Sequence, residues 1–276
     1  FDAMNDIRNI ETSIKAVKKY KKHAEGTLSY TTSPVHNNEY FLEMAKKLES
    51  MGSDTLAIKD MAGLLTPQST KELVSLLSKN ISIPIHVHSH ATAGLASLNL
   101  IAAVEAGATI IDTCNSSFSE GASHPTTESI IAALQSMGYE INIDIAAIES
   151  ISEHLREARK KYWQFESEFT GVDPRVLSNQ VPGGMISNLS NQLKDQDALD
   201  KMDDVLKEIP EVRKDLGYPP LVTPTSQIVG TQAALNVITN SRYKTVTNEV
   251  KNYFLGQYGA APGKVNEEIK SKAIGD

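Results

Sequence analysis

The sequence has one cysteine, one tryptophan and few aromatic residues of any kind, 6% in all. The single thiol, Cys114, excludes an internal disulfide framework and fits a reducing compartment, here taken as the cytoplasm. No apolar run comes near the length a membrane-spanning helix needs. Positive charge is not in excess: Lys and Arg number 27 against 34 Asp and Glu, a net charge of −7 spread without long blocks. That argues against a nucleic-acid partner. The secretory pattern of a basic opening followed by an apolar stretch is missing. The chain opens Phe1-Asp2-Ala3-Met4-Asn5-Asp6, without an initiator methionine, and reads as a piece of a longer protein. What is present is a globular composition: 276 residues, 40% hydrophobic, enough for a core in one large domain or two smaller ones.

The first half alternates between the two hydrophobic periods. Asp6 precedes a helix with Ile7, Ile10, Ile14 and Val17 at helical spacing. Thr27 to Thr32 predicts a strand, and Asn37 or Asn38 caps the helix through Phe41, Met44, Ala45 and Leu48. Thr55 to Lys59 predicts the next strand, and Thr66 with Pro67 opens a helix bearing Leu73, Leu76 and Leu77. Ile83 to His90, then Ala108 to Thr113, predict two more strands, each followed by an apolar helix. Repeated strand–helix units mean parallel strands with right-handed crossovers. Polar residues gather at the strands' C-terminal ends and no Gly-rich dinucleotide fingerprint occurs, which favours a (β/α)8 TIM barrel over a doubly wound sheet. A barrel needs eight strands, so the rest is either missing or supplied by another polypeptide. After about residue 140 the pattern turns helical. The expected organisation is residues 1–140 as the C-terminal part of a barrel and 141–276 as a mostly helical extension at its mouth.

The stretch Pro84-Ile85-His86-Val87-His88-Ser89-His90 carries three histidines at i, i+2 and i+4. Strand side chains alternate faces, so the three share one. Neutral imidazoles so placed can grip a divalent metal; the plainer reading is a strand whose histidines are held by core hydrogen bonds. Lys59 ends the preceding strand, about 5 Å away. An ammonium has no lone pair, so Lys59 becomes a ligand only as a neutral amine or as a carbamate formed with CO2. It could equally pair with Asp60. Asp112 to Ser117 ends the last strand and reads as lining the mouth. His124 reads as structural, His36 and His154 as surface helix residues, and Asn5 as a strand-end residue able to face a substrate.

Three segments carry a resemblance: Ile58-Lys59-Asp60-Met61-Ala62-Gly63-Leu64-Leu65, His86-Val87-His88-Ser89-His90-Ala91-Thr92-Ala93-Gly94, and Pro182-Gly183-Gly184-Met185-Ile186-Ser187-Asn188-Leu189. Their order and spacing resemble the biotin-dependent carboxyltransferase family, which includes pyruvate carboxylase, the transcarboxylase 5S subunit and the oxaloacetate decarboxylase α subunit. Ser29-Tyr30-Thr31-Thr32-Ser33-Pro34 and Thr247-Asn248-Glu249-Val250-Lys251 look most like the decarboxylase α subunit, and Ala91 stands where pyruvate carboxylases typically carry an acidic residue. The resemblance implies a metal, usually zinc, held by a carbamylated Lys59, His88 and His90, with an aspartate from a strand before Phe1. It implies that Ser187 takes the place of a proton-shuttling hydroxyl, although a serine there also suits a cap on a helix starting at Asn188. It implies oxaloacetate and pyruvate as substrates, and biotin brought by a carrier domain or subunit. A membrane-embedded sodium-pumping partner follows for the decarboxylase reading, with membrane association only through that partner, and a homo-oligomer is expected. Another metal-dependent barrel lyase, of the hydroxymethylglutaryl-CoA lyase type, is the alternative.

Overall fold

In the computed structural model, which describes residues 1–166 and 171–275, four parallel strands form one sheet in the order β1-β2-β3-β4. They are β1 (Glu25–Ser29), β2 (Thr55–Asp60), β3 (Ile85–Ser89) and β4 (Ile110–Ile111). Helices α1 (Arg8–Lys19), α2 (Asn38–Ser50), α3 (Pro67–Asn80), α4 (Ala96–Glu105) and α5 (Thr127–Ser136) alternate with them. The local signals explain the joints. Asn37 accepts the Tyr40 N–H to start α2. Thr66 and Ser69 form a reciprocal capping box with Pro67 in the first turn of α3, an arrangement worth about 1 kcal/mol.

Alternation along the strands separates two faces. Leu28, Leu56, Ile58, Ile85 and Val87 point outward into a buried cluster with Phe41, Leu48, Leu73, Leu77, Leu100 and Leu134 of the helices. Glu25, Ala57, Lys59, His86 and His88 fall on the opposite face. A layer of apolar helices therefore fixes the sheet from outside while its inner face stays polar, the division a barrel interior with a mouth-facing site requires.

Two strands differ from the periodicity. β4 pairs only through Ile110 and Ile111, against an expected Ala108 to Thr113. After Asp112 N–H donates to Val87 O the chain leaves the sheet, and Cys114 instead exchanges backbone bonds with Pro125 and Thr127. β1 ends at Ser29 because Thr31 and Thr32 turn toward Arg213.

The second half is helical: α6 (Ile145–Lys160), α7 (Val176–Asn179), α8 (Gly183–Lys194), α9 (Met202–Asp215), α10 (Thr225–Ile238), α11 (Asn248–Phe254) and α12 (Glu267–Ile274). Helices α8 to α12 bury their own cluster around Leu189, Val205, Ile209, Val229 and Tyr243. Arg213 of α9 reaches back to the strand side, its guanidinium donating to Pro219 O at 2.8 Å, Thr32 O at 3.2 Å and Thr31 Oγ1 at 2.8 Å, and to Gln180. Asn9 Nδ2 donates to Tyr258 O at 3.0 Å, and Asp6 accepts the Ala260 N–H at 2.9 Å. None of the described helices is long and apolar enough to cross a membrane.

Candidate metal centre

β3 delivers His86 and His88 to the inner face, and His90 follows one residue past its end. Register pairs Lys59 with His88 across β2 and β3, and Lys59 Nζ stands 3.5 Å from His88 Nε2. The anticipated alternative pair of Lys59 with Asp60 is not formed. Asp60 lies on the outer face, fully buried, and its carboxylate accepts from Leu64 N, Leu65 N and Ser89 Oγ at 2.8 to 3.0 Å. It pins the loop after Lys59 rather than neutralising it. Burial lowers the proton affinity of the Lys59 amine, the nearby Asp112 acting in the opposite sense.

His124, which the sequence suggests is structural, enters the cluster. One ring nitrogen each from His88, His90 and His124 lie within 4.8 Å of one another. Their ring centroids are 4.2 to 5.2 Å apart. Each Nδ1 faces an oxygen: Asp112 Oδ2 at 2.6 Å for His88, Ala122 O at 2.7 Å for His90, Ser89 O at 2.9 Å for His124. Carboxylate and carbonyl oxygens only accept, so each Nδ1 carries a proton, and in the neutral ring Nε2 is the nitrogen with the lone pair. Burial, the largest influence on His90, holds its pKa down at about 4 and also lowers that of His124. Neutral imidazoles oriented through the other nitrogen are the donor set of divalent zinc-like ions. The residues fit such a metal: His88 and His90, with His124 beside them, could hold it, and Lys59 could join as an amine or carbamate.

His86 sits one layer deeper, away from this cluster. Its Nδ1 meets Glu25 Oε2 and its Nε2 meets Asp112 Oδ1, both at 2.9 Å. Asp112, first, and then Glu25 push its pKa up to about 9 against the effect of burial. The two imidazoles in turn hold Asp112 well below the usual carboxylate range. Asp112 is thus more than a mouth-lining residue, and only the strand register, invisible in spacing alone, brings it to both histidines.

Ser187 lies inside α8, which starts at Gly183. The reading of Ser187 as a cap on a helix beginning at Asn188 is therefore wrong; its Oγ donates to Gly183 O at 3.3 Å, one turn back. It lines a cavity of about 470 Å3 together with Phe118, Arg159, Tyr162 and Phe165. Ala122 and Ser123 border the same cavity, so one loop separates Ser187 from His90 and His124. Asn5 holds the end of β1: its amide bonds both backbone groups of Ser29 at 2.8 and 2.9 Å, from a left-handed backbone at φ 56° that Asn tolerates. His36 is buried against Tyr40 and Phe41, not on a helix surface.

Comparison with known proteins decides the lineage. The family described as HMGL-like matches residues 2–155, more than half of the chain, and the conserved carboxylase domain matches 176–276. The chain belongs to the HMGL-like family. It is 53% identical to a pyruvate carboxylase subunit of Methanocaldococcus jannaschii, over 99% of this chain and 48% of that protein. It is 46% identical to the methylmalonyl-CoA carboxyltransferase 5S subunit of Propionibacterium freudenreichii, over 98% of this chain and 53% of that protein. The carboxyl transferase domain of Rhizobium etli pyruvate carboxylase, solved with pyruvate, superposes with a TM-score of 0.96 at 30% identity, covering 100% of this chain and 49% of that one. The resemblance to the biotin-dependent carboxyltransferases is met by both family matches and by these relatives, and the fold is of the TIM-barrel type. The chain spans about half the length of the curated relatives it matches.

Proposed function

We propose that this chain is the carboxyltransferase portion of a biotin-dependent enzyme that exchanges a carboxyl group between the oxaloacetate/pyruvate pair and biotin. The observation that carries this is the convergence of the His88 and His90 lone pairs beside Lys59 at the C-terminal ends of parallel strands, where barrels place their chemistry. His88, His90 and a carbamylated Lys59 would hold a divalent ion, taken as zinc. Such an ion supplies a Lewis acid for the keto oxygen of an α-keto acid.

The chain's own residues do the rest. In the decarboxylating direction the C–C bond to the β-carboxyl breaks and an N–C bond forms at biotin N1. The N1 proton passes through the Ser187 hydroxyl, both donor and acceptor, to the carbon left behind, which gives pyruvate. The motifs around Ser29 and Ala91 favour this direction; the archaeal pyruvate carboxylase relatives favour its reverse, pyruvate carboxylation. A biotin carrier is the required partner in either case. A sodium-pumping membrane partner enters only with the decarboxylation reading.

The test is turnover of the full-length protein carrying this chain, assayed in both directions with and without biotin. We expect biotin-dependent release of pyruvate from oxaloacetate, lost in His88→Ala. Turnover indifferent to biotin would overturn the proposal, and the faster direction would choose between the two readings.

A further inference from the structure

Side chains from three strands and the end of a fourth form one polar line across the inner face. Glu25 Oε2 accepts from Thr55 Oγ1 at 2.8 Å and meets His86 Nδ1 at 2.9 Å. His86 Nε2 meets Asp112 Oδ1 at 2.9 Å, and Asp112 Oδ2 accepts the His88 Nδ1–H at 2.6 Å. We propose that Asp112, braced through His86 by Glu25, is a positioning residue that fixes the tautomer and ring plane of His88 and thereby sets how tightly the centre holds a divalent cation. The proposal rests on His88 being a metal ligand.

The geometry gives three reasons. First, the two carboxylate oxygens lie against different rings: Oδ2 in the hydrogen bond from His88, and Oδ1 in a 2.9 Å charge contact with His86 Nε2 that lies off the hydrogen-bonding direction. The backbone is fixed as well, by the Asp112 N–H bond to Val87 O at 3.0 Å. Second, the partners differ in kind. His90 and His124 are oriented by backbone carbonyls, and among the three clustered imidazoles only His88 is given an anionic acceptor. A carboxylate on Nδ1–H makes the opposite nitrogen a stronger donor, and such outer partners typically govern 10- to 100-fold in metal affinity. Third, the brace is itself held where it crosses β2. Register places Glu25 level with Thr55, and the Thr55 hydroxyl donates to the same Oε2 that meets His86. Shortening Glu25 would remove the brace from His86 and leave Asp112 and His88 in place.

The experiment measures Co2+ affinity of the full-length protein by its visible absorption, together with the 15N-histidine spectrum of the metal-free form. Asp112 keeps 38% of its side-chain surface exposed, so water substitutes in part and the low end of the range applies. We expect Asp112→Asn to weaken Co2+ binding about tenfold and to convert the His88 ring from a single Nδ1–H tautomer to a mixture. Asp112→Glu should recover part of the affinity. Glu25→Ala should weaken binding about threefold, less than the loss of an outer partner itself. Unchanged affinity and tautomer in Asp112→Asn, with binding lost in His88→Ala, would overturn the positioning role and leave the metal centre standing. Unchanged binding in His88→Ala would instead remove the metal reading. If Asp112→Asn does not fold, Glu25→Ala decides: a loss of affinity supports the line, and wild-type affinity refutes it.

Discussion

Replacing Arg213 should reveal how the helical half is fastened to the strand ends. The residue is 4% exposed, and among the described residues no carboxylate influences its guanidinium. Burial draws its pKa down from 12.5 to about 10. At 1.36 kcal/mol per pH unit, keeping the cation there costs about 3 kcal/mol. Its donors offset that cost by satisfying Pro219 O, Thr32 O, Thr31 Oγ1 and the Gln180 carbonyl. Arg213→Met removes the cation and its cost but strands three carbonyl oxygens, at about 1–3 kcal/mol each. The balance is a net loss of about 3 kcal/mol, or a fall in Tm of about 6–12 °C. Arg213→Lys is the sharper variant. The ammonium is more strongly hydrated than a guanidinium and cannot span the same fork, so it keeps the burial cost and recovers fewer bonds. We expect it to lose about 4 kcal/mol, at least as much as methionine. Urea unfolding followed by circular dichroism gives both values. Wild-type stability in Arg213→Lys, or a lysine variant clearly milder than the methionine one, would refute the argument from charge burial.

The remaining expectations concern the site and pH. Ser187→Ala should lose about 10² to 10⁴ in biotin-dependent turnover with metal content and Tm nearly unchanged, whereas Ser187→Thr keeps the hydroxyl and retains activity; equal turnover in all three ends its role as a relay. His88→Ala should lower the metal content seen by elemental analysis, and full occupancy would move the centre elsewhere. Lys59 should show a 13C carbamate resonance in bicarbonate-equilibrated full-length protein, absent from Lys59→Ala; no such signal in the native protein leaves Lys59 an amine. Burial holds His36 at about 4 instead of 6.5, so its folded pKa is depressed and the folded chain binds its proton less readily than the unfolded one. Its contribution is intact above pH 6.5 and is lost as pH falls toward 4, up to about 3 kcal/mol; His36→Phe should flatten that part of the stability curve, and an unchanged acid limb would refute this.

Local patterns along the chain suffice for the elements and the three motifs. Asn37, Thr66 and Pro67 mark helix starts through bonds made within a few residues, so spacing alone finds them. Alternation likewise puts His86, His88 and Lys59 on one face, because the strand period is a property of the backbone. What lies next to what emerges only on folding. Ser187 is inside a helix and not its cap because α8 starts at Gly183, with Pro182 in the N-cap position, a boundary no single residue type announces. Asp60 turns away from Lys59 because it lies on the outward face, where loop amides and Ser89 claim it. His124 and Asp112 reach the histidines of β3 through a loop closure and a strand register spanning 24 to 36 residues of chain. Such pairings depend on how strands are ordered and aligned, and that is settled by packing of the outer helices against the sheet rather than by any local pattern.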